Sequence, residues 1–176
     1  QAAFEGATLA AGELGAFLKY VESTDPKDYA ANIGQFVDRE YDTIVTVGFL
    51  MAEASALAAT ENPNINFVGV DQFQGETLPN LTGLIFAEDQ AGYAAGYLAG
   101  LMTETNKVGA VLGTDTVPPV LYFGEGYRNG VTAANPEAEI TVVYHEPANA
   151  FTDPEWGAAE AKKQVTQGAD VVFGAG

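Results

Sequence analysis

The chain contains two copies of one pattern, in which an Asp-Pro pair opens a helical run and a β-rich strand follows and ends in glycine. The first copy runs from Asp25 to Gly48 and the second from Asp153 to Gly176, each over 23 positions. An aspartate before proline is typical of a helix start, because the carboxylate accepts backbone N–H groups and proline at the first helical position loses no hydrogen bond. The duplication predicts two α/β units of the same plan and a bilobed protein with a cleft between its lobes.

A longer stretch joins the two copies and predicts a crossover between them. It comprises a strand over 81–86, a helix over 88–104 and a strand over 107–112. We therefore expect a first lobe over residues 1–105 and a second lobe over 106–176.

Strands alternate with helices along the rest of the chain, which is typical of an α/β protein with doubly wound parallel sheets. We predict further helices over 1–14, 25–39, 51–59, 120–134 and 153–166, and strands over 17–21, 43–47, 66–70, 140–144 and 170–173. The uninterrupted β-rich run 43–47 predicts a strand covered on both faces. In the common strand order 2-1-3-4-5, the central strand would precede Gln1, and Gly176 stops at a strand tip. We therefore expect this sequence to be an internal piece of a longer protein.

The charge of the chain restricts its partners. With 24 acidic against 7 basic residues, its formal net charge is −17. Such a surface repels nucleic acids and anionic membranes and makes polyanionic ligands less favourable. The chain has no cysteine, so disulfides and thiolate metal sites are excluded. Its most apolar run, 91–102, is shorter than the roughly 20 residues that span a bilayer.

The predicted helix over 88–104 carries glycine at every fourth position. Gly92, Gly96 and Gly100 share one face, which favours close packing of this helix on a neighbour in a water-soluble fold. A second stripe of larger residues, Tyr93, Tyr97 and Leu101, is expected in the core.

The sequence contains no catalytic or cofactor motif of the common types. The nucleophile elbow, the P-loop and the HExxH zinc motif are missing. The glycine-rich run 124–130 lacks the spacing of a dinucleotide fingerprint and does not follow a strand. His145, the only histidine, is interpreted as a strand-end or surface residue and not as a catalytic base. We predict no catalytic residue, no metal site and no cofactor.

Two residues are candidates for ligand contact because of their positions. Asp71 ends an apolar strand, at the edge where open α/β sheets bind ligands, and could accept hydrogen bonds from base N–H groups or sugar hydroxyls. It could equally be a loop or capping residue. Phe151 lies in the polar loop before Asp153, where its ring could stack on a flat ligand or pack as a hydrophobic staple on its own helix.

Two glycines occupy equivalent positions in the two copies. Gly48 and Gly176 end the two repeated strands. Glycine at these positions either lets the backbone approach a ligand closely or makes the turn that follows the strand.

Several stretches of the chain, taken together and in order, resemble the basic membrane protein family of substrate-binding lipoproteins, the nucleoside receptors of bacterial ABC importers. They are residues 1–6 (QAAFEG), 41–49 (YDTIVTVGF), 67–71 (FVGVD), 86–103 (FAEDQAGYAAGYLAGLMT), 107–113 (KVGAVLG) and 151–154 (FTDP). The resemblance implies a type I periplasmic-binding-protein fold whose two lobes close on a purine nucleoside or a similar ligand.

The resemblance also implies roles for the candidate residues. Asp71 would be the ligand carboxylate of the first lobe, Phe151 one of two aromatics that sandwich the base, and Gly176 the start of a glycine-rich ligand loop. The partner aromatic, further ligand residues and the lipid-bearing cysteine would lie outside this sequence. The implied partners are a nucleoside and an ABC permease, with the protein outside the cytoplasmic membrane and held to it only through a lipid anchor.

Two rival functions remain open on the sequence. The same fold serves sugar or amino-acid receptors and the ligand-sensing domains of regulators. A nucleotide-dependent α/β enzyme is the other rival, and the lack of phosphate loops and of an acid–base pair weighs against it.

Overall fold

The computed structural model describes residues 2–176, so the predicted helix over 1–14 is tested from Ala2 onward. Six helices and six strands follow one another along the described chain. Their bounds are α1 Ala2–Leu14, α2 Tyr29–Val37, β1 Thr43–Val47, α3 Ala52–Glu61, β2 Asn66–Val70, β3 Leu81–Leu84, α4 Glu88–Met102, β4 Lys107–Leu112, α5 Pro118–Ala134, β5 Glu139–Tyr144, α6 Pro154–Thr166 and β6 Val171–Ala175. Short 3-10 turns, Pro26–Asp28 and Phe49–Met51, lead into α2 and α3.

The chain divides into two compact units, Gln1–Phe86 and Ala87–Gly176. This division falls before α4, whereas the predicted lobe boundary lies after it, at 105 and 106. Helix α4 belongs to the second unit because it packs along α5. The boundary of the lobes in the complete protein stays a prediction.

The first unit is built on a parallel sheet of three strands in the order β1-β2-β3. Its core lies on one face, where Ile33 of α2 and Ala59 of α3 pack against Ile44, Phe67 and Leu81 of the strands. The opposite face of β1 carries Val45 and Val47, which are exposed. The prediction that β1 is covered on both faces is therefore wrong, since α2 and α3 pack on the same side and α1 contributes no buried residue.

The prediction of a strand over 17–21 is also wrong. This segment has no regular secondary structure, and Phe17 is 79% exposed. The segment has the composition of a strand, but a strand requires a hydrogen-bonding neighbour, and no described strand pairs with it.

The second unit is built on a parallel sheet in the order β5-β4-β6. Val108, Ala110 and Leu112 of β4 point to the face where Tyr127 and Val131 of α5 form the core. Side chains alternate between the faces of a strand, so Gly109 points to the opposite face. There it lies against Gln164 of α6, so helices cover both faces of this sheet, as a doubly wound fold requires.

Helices α4 and α5 pack at very short range through their glycines, as the sequence predicts. A Cβ atom at Gly92 or Gly96 would lie 2.3 or 2.0 Å from the carbonyl oxygens of Phe123 and Tyr127. The second predicted stripe is not core, because Tyr93, Tyr97 and Leu101 are exposed. The backbone of Tyr93 and Tyr97 lies close to Gly126 and Gly130 of α5, but their side chains stay exposed beside this contact.

Candidate functional site

Each of the two Asp-Pro pairs caps the helical segment that follows it. The Asp25 carboxylate accepts the N–H of Lys27 at 3.0 Å, and the Asp153 carboxylate accepts the N–H of Trp156 at 2.9 Å. A proline occupies the start of each segment. The cap predicted from the repeated sequence is therefore confirmed in both copies.

Gly48 and Asp71 lie side by side at the carboxyl edge of the first sheet. Strands β1 and β2 are paired so that Val47 lies opposite Val70. Gly48 is the residue after Val47, and Asp71 is the residue after Val70. The N–H of Gly48 donates to Val70 O at 2.9 Å, and the N–H of Asp71 donates to Leu84 O at 2.8 Å. The structure thus brings these two predicted residues together.

Both residues have a positive φ. Gly48 has φ 102°, a conformation that favours glycine, and Asp71 has φ 59° in the left-handed region, where Asp and Asn are more frequent than most residues. These conformations turn the chain sharply away from the strands. The backbone at the edge is therefore constrained at two adjacent points.

Gln72, which lies in the loop between β2 and β3, is fully buried. Its Nε2 donates to the carbonyl oxygen of Gly48 and to Thr46 Oγ1, both at 3.1 Å. Thr46 Oγ1 also lies 2.7 Å from Ser55 Oγ, which donates to Met51 O at 2.8 Å. A buried polar network therefore lies directly beneath the edge that carries Gly48.

Two strand glycines could have signalled this buried glutamine. A Cβ atom at Gly69 would lie 2.3 Å from Gln72 Oε1, and one at Gly83 would lie 2.4 Å from the Gln72 carbonyl oxygen. Glycine inside a strand often marks a place where another group approaches the backbone closely. Because neither glycine has a side chain, the space beside both is free for Gln72.

Phe151 and Gly176 come together at the carboxyl edge of the second sheet. A Cβ atom at Gly113, the residue after β4, would lie 2.6 Å from a carbon of the Phe151 ring, and one at Gly176 would lie 3.7 Å from the same carbon. The N–H of Gly113 donates to Ala175 O at 2.9 Å, which joins the two strand tips. The ring therefore lies over the ends of β4 and β6, and a ligand contact through it stays a prediction.

His145 follows β5 and fastens the loop that carries Phe151. Its Nδ1 lies 2.6 Å from Glu146 O, its Nε2 lies 3.4 Å from Asp153 Oδ2, and its ring meets Trp156 edge-on at 4.5 Å between centroids. The pKa of His145 is raised, mainly by the hydrogen bond with Glu146 O and to a smaller extent by the contact with Asp153. The pKa of Asp153 is lowered, mainly by the hydrogen bond from the Trp156 N–H and to a smaller extent by the hydrogen bond with His145.

Two surface hollows of the second unit lie away from the predicted residues. One of about 250 Å³ lies between α4 and α5, and one of about 410 Å³ lies beside the amino ends of β4 and β5. Neither is lined by Phe151 or Gly176.

Within residues 2–176, no group of three or more His, Asp or Glu side chains could hold a metal ion. None of the helices described for these residues combines the length and apolarity of a membrane span.

Residues 1–176 match a protein family described as ABC transporter substrate-binding protein, PnrA-like. A "CD4+ T-cell-stimulating antigen" of Listeria monocytogenes is 33% identical over 88% of this chain and 42% of its own length. An "ABC transporter nucleoside-binding protein BmpA" of Lactococcus lactis is 30% identical over the same shares. The chain thus spans about two fifths of the length of these relatives.

Solved structures share the fold. A chain of the "ABC transporter system solute-binding proteins" from Aeropyrum pernix superposes with a TM-score of 0.76 at 28% identity, over 97% of this chain and 48% of its own. The predicted fold class, an α/β protein with parallel sheets that forms part of a type I periplasmic-binding-protein fold, is confirmed.

Proposed function

This chain belongs to the PnrA-like family of ABC transporter substrate-binding proteins, and we propose that the complete protein is a receptor for a purine nucleoside. The observation that carries the nucleoside class is the relative from Lactococcus lactis, which is named a nucleoside-binding protein. Proteins of this family bind a solute and do not transform it, so the proposed role is non-catalytic.

The carboxyl edges of the two sheets offer groups suited to such a ligand. In our proposal, the Asp71 carboxylate accepts hydrogen bonds from base N–H groups or sugar hydroxyls, and the Phe151 ring stacks on the base. Gly48 and Gly176 let the backbone approach the ligand without a side chain in the way. The carboxyl edge of a parallel sheet is where open α/β proteins bind ligands, which supports both assignments.

The charge of the chain favours a neutral ligand. A surface with a formal net charge of −17 repels the phosphates of a nucleotide, whereas a nucleoside carries no charge. We therefore propose that the receptor discriminates against the monophosphate of its own nucleoside.

Transport would depend on partners outside this chain. We propose that the complete receptor captures its ligand by hinge closure outside the cytoplasmic membrane and presents it to an ABC permease. A lipid anchor on the complete protein would hold it at the membrane surface.

The decisive experiment is calorimetric titration of the complete protein, freed of co-purified ligand, with adenosine, guanosine and inosine. Matched titrations use their monophosphates and a set of free sugars and amino acids. Binding of at least one nucleoside, weaker binding of its monophosphate and recovery of the unchanged nucleoside by chromatography would support the proposal. Binding of a sugar or an amino acid alone would replace it with the rival receptor class.

A further inference from the structure

We infer that Gln72 is a positioning residue that shapes the ligand-binding edge of the first unit, an inference that rests on the proposed function of Asp71 and Gly48. Gln72 itself is fully buried and touches no solvent. Its influence on a ligand would therefore pass through the backbone that it holds.

Gln72 connects the ends of all three strands of the first sheet. It follows β2 by two positions, and its backbone N–H donates to Leu84 O at the end of β3 at 3.3 Å. Its side-chain amide donates at 3.1 Å to the carbonyl oxygen of Gly48 at the end of β1. Because one residue makes both bonds, the tips of β1 and β3 are fixed relative to Asp71, which lies between them in the sheet.

The surrounding structure selects the conformations at this edge. Asp71 lies at positive φ, which costs a non-glycine residue free energy, and Gly48 can adopt either sign of φ, so its hydrogen bonds decide which one it keeps. The Gly48 carbonyl oxygen accepts from Gln72 Nε2 and also from the Met51 N–H at 3.1 Å, where the turn into α3 begins. Removing the Gln72 donor would take away one of the two bonds described for this oxygen.

The rest of the buried network fixes the orientation of the Gln72 amide. Thr46 Oγ1 accepts from Nε2 at 3.1 Å and is itself 2.7 Å from Ser55 Oγ. Buried polar networks of this kind specify a single local structure when their members are paired. The amide therefore has one orientation, with its N–H groups toward Gly48 and Thr46.

The chain provides a matched control in the second unit. Gln164 is also buried, also lies against a strand glycine, and donates through Nε2 to Ala110 O at 3.1 Å. Ala110 lies inside β4, away from the strand tips. Gln164→Met removes one such hydrogen bond without disturbing a ligand edge, and because the buried Gln164 Oε1 has no partner among the described residues, its loss of stability should be smaller than that of Gln72→Met.

The test compares Gln72→Met, Gln72→Glu and Gln164→Met in the complete protein, measuring the thermal midpoint of unfolding and the dissociation constant for the nucleoside that binds the unaltered protein. Gln72→Glu keeps the size of the side chain and has no donor for the Gly48 oxygen once its carboxylate is ionised, so it is measured at high pH, where no acid O–H can replace the lost N–H. All three variants should melt at lower temperature, and only the two Gln72 variants should weaken binding, by about tenfold. Unchanged affinity in a folded Gln72 variant, or an equal loss in Gln164→Met, would overturn the inference.

Amide hydrogen exchange provides a readout that does not depend on the ligand. The N–H groups of Gly48 and Met51 are bonded to Val70 O and Gly48 O, and Gln72→Met should increase their exchange while Gln164→Met leaves it unchanged. If the unaltered protein binds no nucleoside, the proposed function fails. In that case, unchanged exchange at Gly48 and Met51 would refute the positioning role separately.

Discussion

The Thr103 hydroxyl donates a hydrogen bond of 2.6 Å to the Asp170 carboxylate, which joins the end of α4 to the residue before β6. The same carboxylate accepts the backbone N–H groups of Glu104 and Thr105 at 2.6 and 2.9 Å. These hydrogen bonds lower the pKa of Asp170 from 3.8 to about 2, and the bond from the Thr103 hydroxyl has the largest effect. Asp170 thus organises the turn between α4 and β4.

We predict that Asp170→Asn lowers the thermal midpoint at neutral pH. A carboxylate whose pKa is depressed by folding contributes stability above its unfolded pKa, and this contribution is lost as pH falls toward the folded value. The difference between the two proteins should therefore be largest above pH 4 and should shrink between about pH 4 and 2, as thermal melts followed by circular dichroism would record.

The corresponding aspartate of the first copy provides the control. Asp42 lies 17 positions after Asp25, as Asp170 lies 17 after Asp153, but no hydrogen bond to its side chain is described in residues 2–176. Asp42→Asn should leave the melting profile nearly unchanged. Equal effects at both positions would contradict the role given to the Asp170 bonds.

A second prediction concerns the contact of α4 with α5. Gly96→Ala should destabilise the protein by about 1–3 kcal/mol, the range typical of overpacking, because its Cβ atom would collide with the Tyr127 carbonyl oxygen. Gly157→Ala in α6 is the matched control, since nothing lies within 4 Å of its Cβ position. That variant should gain roughly 0.5–1 kcal/mol from helix propensity. Chemical denaturation measures both, and a stable Gly96→Ala variant would refute the tight packing.

A third prediction concerns the pH dependence contributed by His145. Its folded pKa is raised above 6.5 by Glu146 O and by Asp153, so its stabilising contribution is full below the unfolded value and is lost as pH rises through the folded pKa. The free energy of unfolding should therefore fall by more in the unaltered protein than in His145→Gln as pH rises through and above 6.5. The imidazole signals that are present in the unaltered complete protein and missing from His145→Gln belong to His145, and their magnetic resonance titration tests the direction of the shift. A midpoint below 6.5 would refute it.

The strands and the caps could be predicted because short-range chemistry determines them. The predicted bounds of β1, β2 and β4 agree with the structure, since each is a short run made mainly of apolar or β-branched residues and flanked by turn or polar residues. The caps at Asp25 and Asp153 follow from the Asp-Pro pairs. Residues 17–21 show the limit of this reasoning, because a strand also needs a partner that the local sequence does not contain.

The support beneath the candidate site could not be predicted in the same way. Glutamine is a polar residue of the kind expected in an exposed loop. Gln72 can be buried because Gly69 and Gly83 have no side chains in its way, and these glycines belong to two strands that meet only in the folded sheet. Asp71 and Phe151 belong to different compact units, so their placement around one ligand stays a prediction.

The stacking role of Phe151 makes a fourth prediction. Phe151→Ala should weaken nucleoside binding by roughly 1–3 kcal/mol, the typical value of base stacking on an aromatic ring. Phe151→Tyr keeps the ring over Gly113 and should bind nearly as well. Replacement of the exposed Tyr97 by alanine is the control, because this residue lies in the half of α4 that leads to the amino end of β4. Calorimetry in which Phe151→Ala and the unaltered protein bind equally would leave the ring with a structural role only.

The role of Asp71 is tested best by Asp71→Asn, because the backbone at this position lies in the left-handed region. At φ 59°, alanine would add conformational strain, whereas asparagine tolerates the left-handed region about as well as aspartate. Asp71→Asn therefore removes the carboxylate charge and one accepting oxygen while the edge keeps its shape. If the carboxylate receives two donors from the ligand, affinity should fall by about tenfold or more, because hydrogen bonds to a charged group contribute roughly 1.5–3 kcal/mol each. Equal affinity of Asp71→Asn and the unaltered protein, with amide exchange at Gly48 unchanged, would assign Asp71 to the turn and not to the ligand.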